Sequence, residues 1–335
     1  MFVGRQHELE QLNKAYNSEQ FECVVISGRR HIGKTALISE FIADKDAIYF
    51  SARELTDKFN RESFIRIVGE HFGETNEFPT DWETAFEMIS NGMKDGRMIL
   101  VLDNYTDACL TNKELGQTIN DVIERYFKDS KLFLIISGNH MAALDREILD
   151  EKSVLYKHMT MHITLKGLSF EDADSFMKGF NAEDKERLYS CVGGTPLYLL
   201  LINNNESVDE NIERLFFSRT GFLYSDIATT LEKELIGPAV YNSLLRSIAQ
   251  GKQKARDILD DTGEESGKMH KYLNVLLSMG ILCRDVPDGA DPQISRKGVW
   301  RFEDNAMRFW YRYVFDNADQ IARGNGHRLL ALIEE

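Results

Sequence analysis

Residues 22–42 constrain this chain more than any other stretch. Glu22-Cys-Val-Val-Ile-Ser27 is a short apolar, β-branched run, the composition of a buried strand. Gly28-Arg29-Arg30-His31-Ile32-Gly33-Lys34-Thr35 then fits G-x-x-x-x-G-K-S/T at every fixed position. Ala36-Leu-Ile-Ser-Glu-Phe-Ile42 follows with apolar residues at helical spacing. Strand, glycine-rich turn and helix start therefore stand in the order that phosphate binding needs. Gly28 and Gly33 let the backbone curl, so that N–H groups from Arg29 through Ala36 point at phosphate oxygens with the positive end of a helix behind them. Lys34 reaches the β- and γ-phosphates, and Thr35 offers a hydroxyl to Mg²⁺. The stretch predicts a nucleotide phosphate site.

The chain's 335 residues suffice for two or three domains. A hydrophobic content of 43% with 28% charged residues describes a soluble globular protein. No run of 18 apolar residues suggests a membrane span. The start Met-Phe-Val-Gly-Arg lacks a signal-peptide pattern, so the expected location is the cytoplasm. Cys23, Cys109, Cys191 and Cys283 lie far apart without a C-x-x-C pair and read as reduced thiols. A net charge of −14 argues against indiscriminate nucleic-acid binding, while leaving room for one basic face.

Downstream of the loop, 47–51 reads as a second strand, and 60–72 and 81–94 as amphipathic helices. Residues 97–102 form an apolar run ending in Asp103, and a carboxylate at a strand tip can hold a Mg²⁺ shell, usually through water. Thr35 and Asp103 are thus the candidate metal ligands. Asn104 follows; an amide hydrogen-bonds a water but cannot take its proton at neutral pH. A helix near 113–129 leads to the apolar strand 131–136 with the polar tip Ser137-Gly138-Asn139, which also reads as a Gly-Asn turn. A further strand spans 160–165, and His158 and His162 lack metal-ligand spacing.

From Leu168 onward the pattern is helical: 170–180 with Ser169 or Asp172 as cap, 183–190, 209–219 and 223–235. In Gly193-Gly194-Thr195-Pro196, Thr195 is placed as N-cap and Pro196 as first helical residue. Gly237-Pro238 marks a boundary. Helices at 238–249, 252–260 and 267–279, then strands at 281–286 and 298–302, read as a winged helix-turn-helix with 267–279 in the recognition position. Lys268, His270, Lys271, Arg296, Lys297 and Arg301 favour duplex DNA; Asp257, Asp260, Asp261, Glu264 and Glu265 oppose it. Residues 237–304 hold ten Lys+Arg and ten Asp+Glu, a net of zero where a duplex binder is usually basic. The alternative is a module that packs on the core or on a protein partner. Asp304–Phe315 is an aromatic-rich helix read as core.

Taken in order, FVGRQHEL, SGRRHIGKTALI, the Asp103 strand, GGTPLYL, the winged helix and SRKGVWRFEDNAMRFWYRYVF resemble the archaeal-type AAA+/STAND-related ATPase family. The resemblance implies an α/β fold: a P-loop NTPase core of AAA+/ASCE type with a parallel sheet, a helical lid, then the winged helix-turn-helix domain. The expected divisions are a core at 1–165, a lid at 166–236, the winged helix at 237–303 and a C-terminal helical segment at 304–335. It also implies that Val3, Gly4 and Arg5 lie against adenine, that Pro196 closes over the base, and that ATP/ADP with Mg²⁺ is bound. Asn139 becomes the sensor for the γ-phosphate, with Ser137 in reserve. Catalytic roles fall to Lys34, Asp103, Asn104 and Asn139. Family members carry glutamate where Asn104 stands and often arginine where Lys157 stands, so the resemblance implies slow hydrolysis, with Asp107 as a substitute base. GTP is disfavoured, since neither Asn13-Lys14 nor Asn112-Lys113 continues into N-K-x-D. Longer relatives continue into a nuclease-like domain; this chain shows no such carboxylate–lysine cluster before Glu335. The expected function is a Mg²⁺-dependent ATP switch able to form nucleotide-dependent oligomers; the alternative is a DNA-binding regulator holding nucleotide as a structural ligand.

Overall fold

A computed structural model describes residues 2–73, 81–93, 96–235, 237–287, 289 and 298–333. The chain separates into two compact units, Met1–Arg29 with Gly33–Leu165, and Arg30–Ile32 with Lys166–Glu335. Among the described residues no helix is long and apolar enough to cross a membrane.

The first unit is a five-stranded parallel sheet flanked by helices. Its elements are α1 (Gln6–Tyr16), β1 (Glu22–Ser27), α2 (Lys34–Ile42), β2 (Ala47–Ser51), α3 (Asp57–Phe72), α4 (Trp82–Met93), β3 (Met98–Asp103), α5 (Tyr105–Thr111), α6 (Leu115–Val122), β4 (Leu132–Ser137), α7 (Met141–Leu144) and β5 (Met161–Thr164). Strand order is β2-β3-β4-β1-β5, so β4 is inserted between β3 and β1. The inner strands β3 and β4 are buried along their whole length, as strands covered on both faces must be. Edge strand β2 instead alternates, with Ile48 and Phe50 buried and Tyr49 and Ser51 partly open. On one face Val25, Phe50, Leu100, Leu102 and Leu134 pack with Phe64, Trp82, Phe86, Ile119 and Phe127 of the helices. The register pairs Ser51 with Asp103 and Leu102 with Ile136, which brings the tips of β2, β3 and β4 level at one sheet edge. Ligand sites of open parallel sheets form at such carboxyl ends.

The helix expected near 113–129 is α6 followed by a π-helical turn, Ile123–Phe127. Helices α5 and α7 were not foreseen. In α5, Tyr105, Thr106, Asp107, Ala108 and Cys109 are all buried, which leaves no apolar–polar period to read.

The second unit begins with α8 (Phe170–Ala173), α9 (Ala182–Val192), α10 (Pro196–Leu200), α11 (Val208–Phe216) and α12 (Phe222–Glu234). Ser169, not Asp172, caps α8 by accepting from the Asp172 N–H. That helix gives way to a 3₁₀ turn at Asp174–Phe176, and beyond it Asn204 Oδ1 takes the Gly179 N–H at 3.1 Å. The Gly193-Gly194 pair has a packing cause. A side chain at Gly194 would meet the Leu168 carbonyl at 2.1 Å, and Gly193 has φ +71°.

Next come α13 (Pro238–Ala249), α14 (Ala255–Thr262) and α15 (Ser266–Ser278), then β6 (Leu282–Asp285) and β7 (Val299–Phe302) as an antiparallel ribbon. Lys254 bridges Val299, and the Trp300 N–H donates to the Gln253 carbonyl at 2.8 Å. Arg296 and Lys297 lie outside the described residues. Finally α16 (Asn305–Phe309) is capped by Asp304, whose Oδ1 accepts from the Met307 N–H at 2.7 Å. The aromatic helix expected to run to 315 passes into a π-helical turn, Trp310–Val314, before α17 (Ala318–Ala322).

Candidate functional site

The glycine-rich loop leaves β1 at Ser27 and enters α2 at Lys34. Gly28, His31 and Gly33 have φ of 145°, 66° and 95°. These positive values turn the loop back on itself, and glycine bears two of the three at no steric cost. Lys34 is 5% exposed, and its Nζ donates to the carbonyls of Gly28 at 2.7 Å and Arg29 at 2.9 Å. Arg29 is buried and Arg30 exposed; Ile32 is buried and Ala36 exposed. Arg30, His31 and Ile32 group with the second unit, where His31 Nε2 lies 3.3 Å from Asp226 Oδ1.

Asp103 is the hub of the strand tips and is 1% exposed. Its Oδ2 accepts from Thr35 Oγ1 at 2.8 Å and from Tyr49 Oη at 2.5 Å. Its Oδ1 accepts from the Asn104 N–H at 3.0 Å and from Ser137 Oγ. Burial, then the hydrogen bond to Asp103, pushes the Tyr49 phenol well above its usual value, so it remains a donor at neutral pH. Asn104 begins α5 as its N-cap residue with φ +53°, a conformation asparagine tolerates better than most residues. Its Nδ2 donates to Ser51 Oγ at 3.1 Å, and its Oδ1 accepts from Asn139 Nδ2 at 2.6 Å.

The structure thus brings Thr35 to Asp103 and Asn139 to Asn104. Sequence reasoning missed Tyr49 and Ser51. The available signal was the alternation of β2, which puts 47, 49 and 51 on one face, but only the register with β3 aims that face at Asp103. Ser137, held in reserve, contacts Asp103 directly. Asp107 is turned to His140, with Oδ1 3.3 Å from Nε2. Lys157 Nζ pairs with Glu124 Oε1 at 2.7 Å, an exposed ion pair of its own chain. Val3 is half-buried, Gly4 has φ +69°, and Arg5 donates to Glu8 Oε1 at 3.2 Å. Pro196 opens α10, but Thr195 makes no side-chain cap; its hydroxyl is buried with no hydrogen-bond partner. His162, an exposed residue, meets Ser27 Oγ through Nε2 at 2.8 Å, and the partly buried His158 meets Asn120 Oδ1 through Nε2 at 3.0 Å. All four cysteines are free, and burial pushes the Cys23 and Cys109 thiols up to about 12, which leaves them unreactive.

A parallel sheet with an inserted strand, a glycine-rich loop leading into a helix, and an acidic strand tip beside the loop's threonine define a P-loop ATPase domain. Residues 2–202 match the model of an ATPase domain found predominantly in Archaea, and the chain belongs to that family. An uncharacterized protein of Methanocaldococcus jannaschii is 28% identical over 326 residues, covering 97% of this chain and 71% of its own. Among solved structures, the Walker-type ATPase of Pyrococcus abyssi has a TM-score of 0.70 at 15% identity, covering 93% of this chain and 96% of that one. The ORC2 protein of Aeropyrum pernix, solved as ADPNP–ADP complexes, has a TM-score of 0.56 at 11% identity, covering 96% and 94%. The matched residues include the whole glycine-rich loop and the Asp103 strand tip.

Proposed function

We propose that the protein is a Mg²⁺-dependent ATP switch that holds ATP much longer than it takes to bind it. Gly28–Ala36 cradle the phosphates through backbone N–H groups, and Lys34 turns from its own loop carbonyls to the β- and γ-phosphates. The oxygen donors Thr35 and Asp103, in contact at 2.8 Å, suit a hard cation that keeps part of its water shell. When bound, Mg²⁺ supplies neutralisation of phosphate charge. Val3, Gly4 and Arg5 serve the base, and Asn139 senses the γ-phosphate through Asn104.

The observation that carries slow turnover is Asn104, fixed between Ser51 and Asn139 at the position after the acidic strand tip. It can orient a water from that position but cannot take its proton. The segment α13–α15 with the β6–β7 ribbon has the element order of a winged helix. We read it as a protein-contact module, because Lys268 lies 3.6 Å from Glu264 and Arg301 is paired with Asp285. The test is the identity of bound nucleotide over time. Protein loaded with ATP and Mg²⁺, freed of excess nucleotide and quenched at intervals, should yield mostly ATP for minutes; conversion to ADP within seconds would contradict the switch.

A further inference from the structure

Asp103 is saturated as an acceptor. A carboxylate offers about four lone-pair positions, and the donors on Asp103 are Ser137 Oγ, the Asn104 N–H, Thr35 Oγ1 and Tyr49 Oη. A water held by Mg²⁺ that donates to this carboxylate has to displace one of them. Three are fixed in place. The Asn104 N–H is backbone at the head of α5. Ser137 is 0% exposed at the end of a strand buried on both faces. Thr35 carries the hydroxyl read as the metal's ligand, and its proton still points to Asp103 when its oxygen binds a cation. Tyr49 differs on each count: it stands on edge strand β2, is only half-buried, and its donor sits at the far end of a long side chain.

We infer that the Tyr49 hydroxyl occupies the acceptor position on Asp103 that a Mg²⁺-held water requires, so that Tyr49 sets how strongly Mg²⁺ tightens nucleotide binding. Tyr49 is then a positioning residue, competing with the metal's water shell and not touching nucleotide. The inference rests on reading Thr35 and Asp103 as the metal site, and its experiment separates the two. ADP affinity is measured by calorimetry with Mg²⁺ and with EDTA, on the full chain, for wild type, Tyr49→Phe and Asp103→Asn. Tyr49→Phe keeps the ring and removes only the competing oxygen. Its affinity in EDTA should equal wild type, while the tightening by Mg²⁺ should grow about three- to tenfold, the effect of deleting one competing hydrogen bond. An unchanged or smaller tightening, or a shift of equal size in EDTA, overturns the inference and makes Tyr49 a brace for Asp103. Asp103→Asn should lose most of the Mg²⁺ effect. If it keeps the wild-type effect, the metal site itself is misplaced.

Discussion

Lys34 has two sets of acceptors, and its substitution tests which one matters. In the structure its ammonium ties the loop to itself through Gly28 and Arg29; in the proposed switch it meets phosphate. Lys34→Ala should weaken ATP binding by about 1.5–3 kcal/mol, the range for charge-assisted hydrogen bonds. Calorimetry finding equal affinity would remove the loop from the site. At this scale the sequence was informative where a residue's placement depends on its neighbours in the chain. The positions of Lys34 and Thr35 at the head of a helix and of Asp103 at a strand tip could be read because these are local objects. Tyr49 and Ser51 could not, because only the pairing of Ser51 with Asp103 across two strands brings that face to the carboxylate. Thr195 misled for a related reason. Its place before Pro196 is that of a cap, yet its hydroxyl is buried among other groups and bonds to none.

That failed cap makes a prediction about an element. A buried hydroxyl without a partner costs free energy, so Thr195→Val, which keeps the branched shape, should leave α10 intact. Urea denaturation should show stability unchanged or raised by about 1 kcal/mol. A loss of about 1 kcal/mol, the typical value of a side-chain cap, would show that the hydroxyl caps after all. The inner strands β1, β3 and β4 were legible because parallel strands buried on both faces are near-continuous apolar runs. The short helices after the strand tips were not. With its first five residues all buried and only Leu110 and Thr111 exposed, α5 offers no amphipathic period, yet it fixes Asn104 at the site.

The charge of the whole molecule bears on the choice of partner. At −14 overall, duplex DNA would have to be met by a local basic face. Among the described residues, Lys268, Arg256 and Arg301 of the α13–β7 segment each lie within reach of a carboxylate. We expect no retention on immobilised duplex DNA even at low ionic strength. Retention that falls steeply with salt and is lost in Lys268→Glu/Lys271→Glu would contradict this and restore the regulator reading.

The most direct test of slow hydrolysis replaces the amide at 104 with a carboxylate. Asn139 Nδ2 can still donate to it, and the Ser51 hydroxyl can turn to do so. Asn104→Asp suits the positive φ, and Asn104→Glu reaches further at some backbone strain. General base catalysis contributes about 10²–10⁴ in rate. Steady-state ATP turnover should therefore rise about tenfold or more in at least one variant, at ATP affinity equal to wild type. Brisk wild-type turnover that neither variant changes would contradict the account.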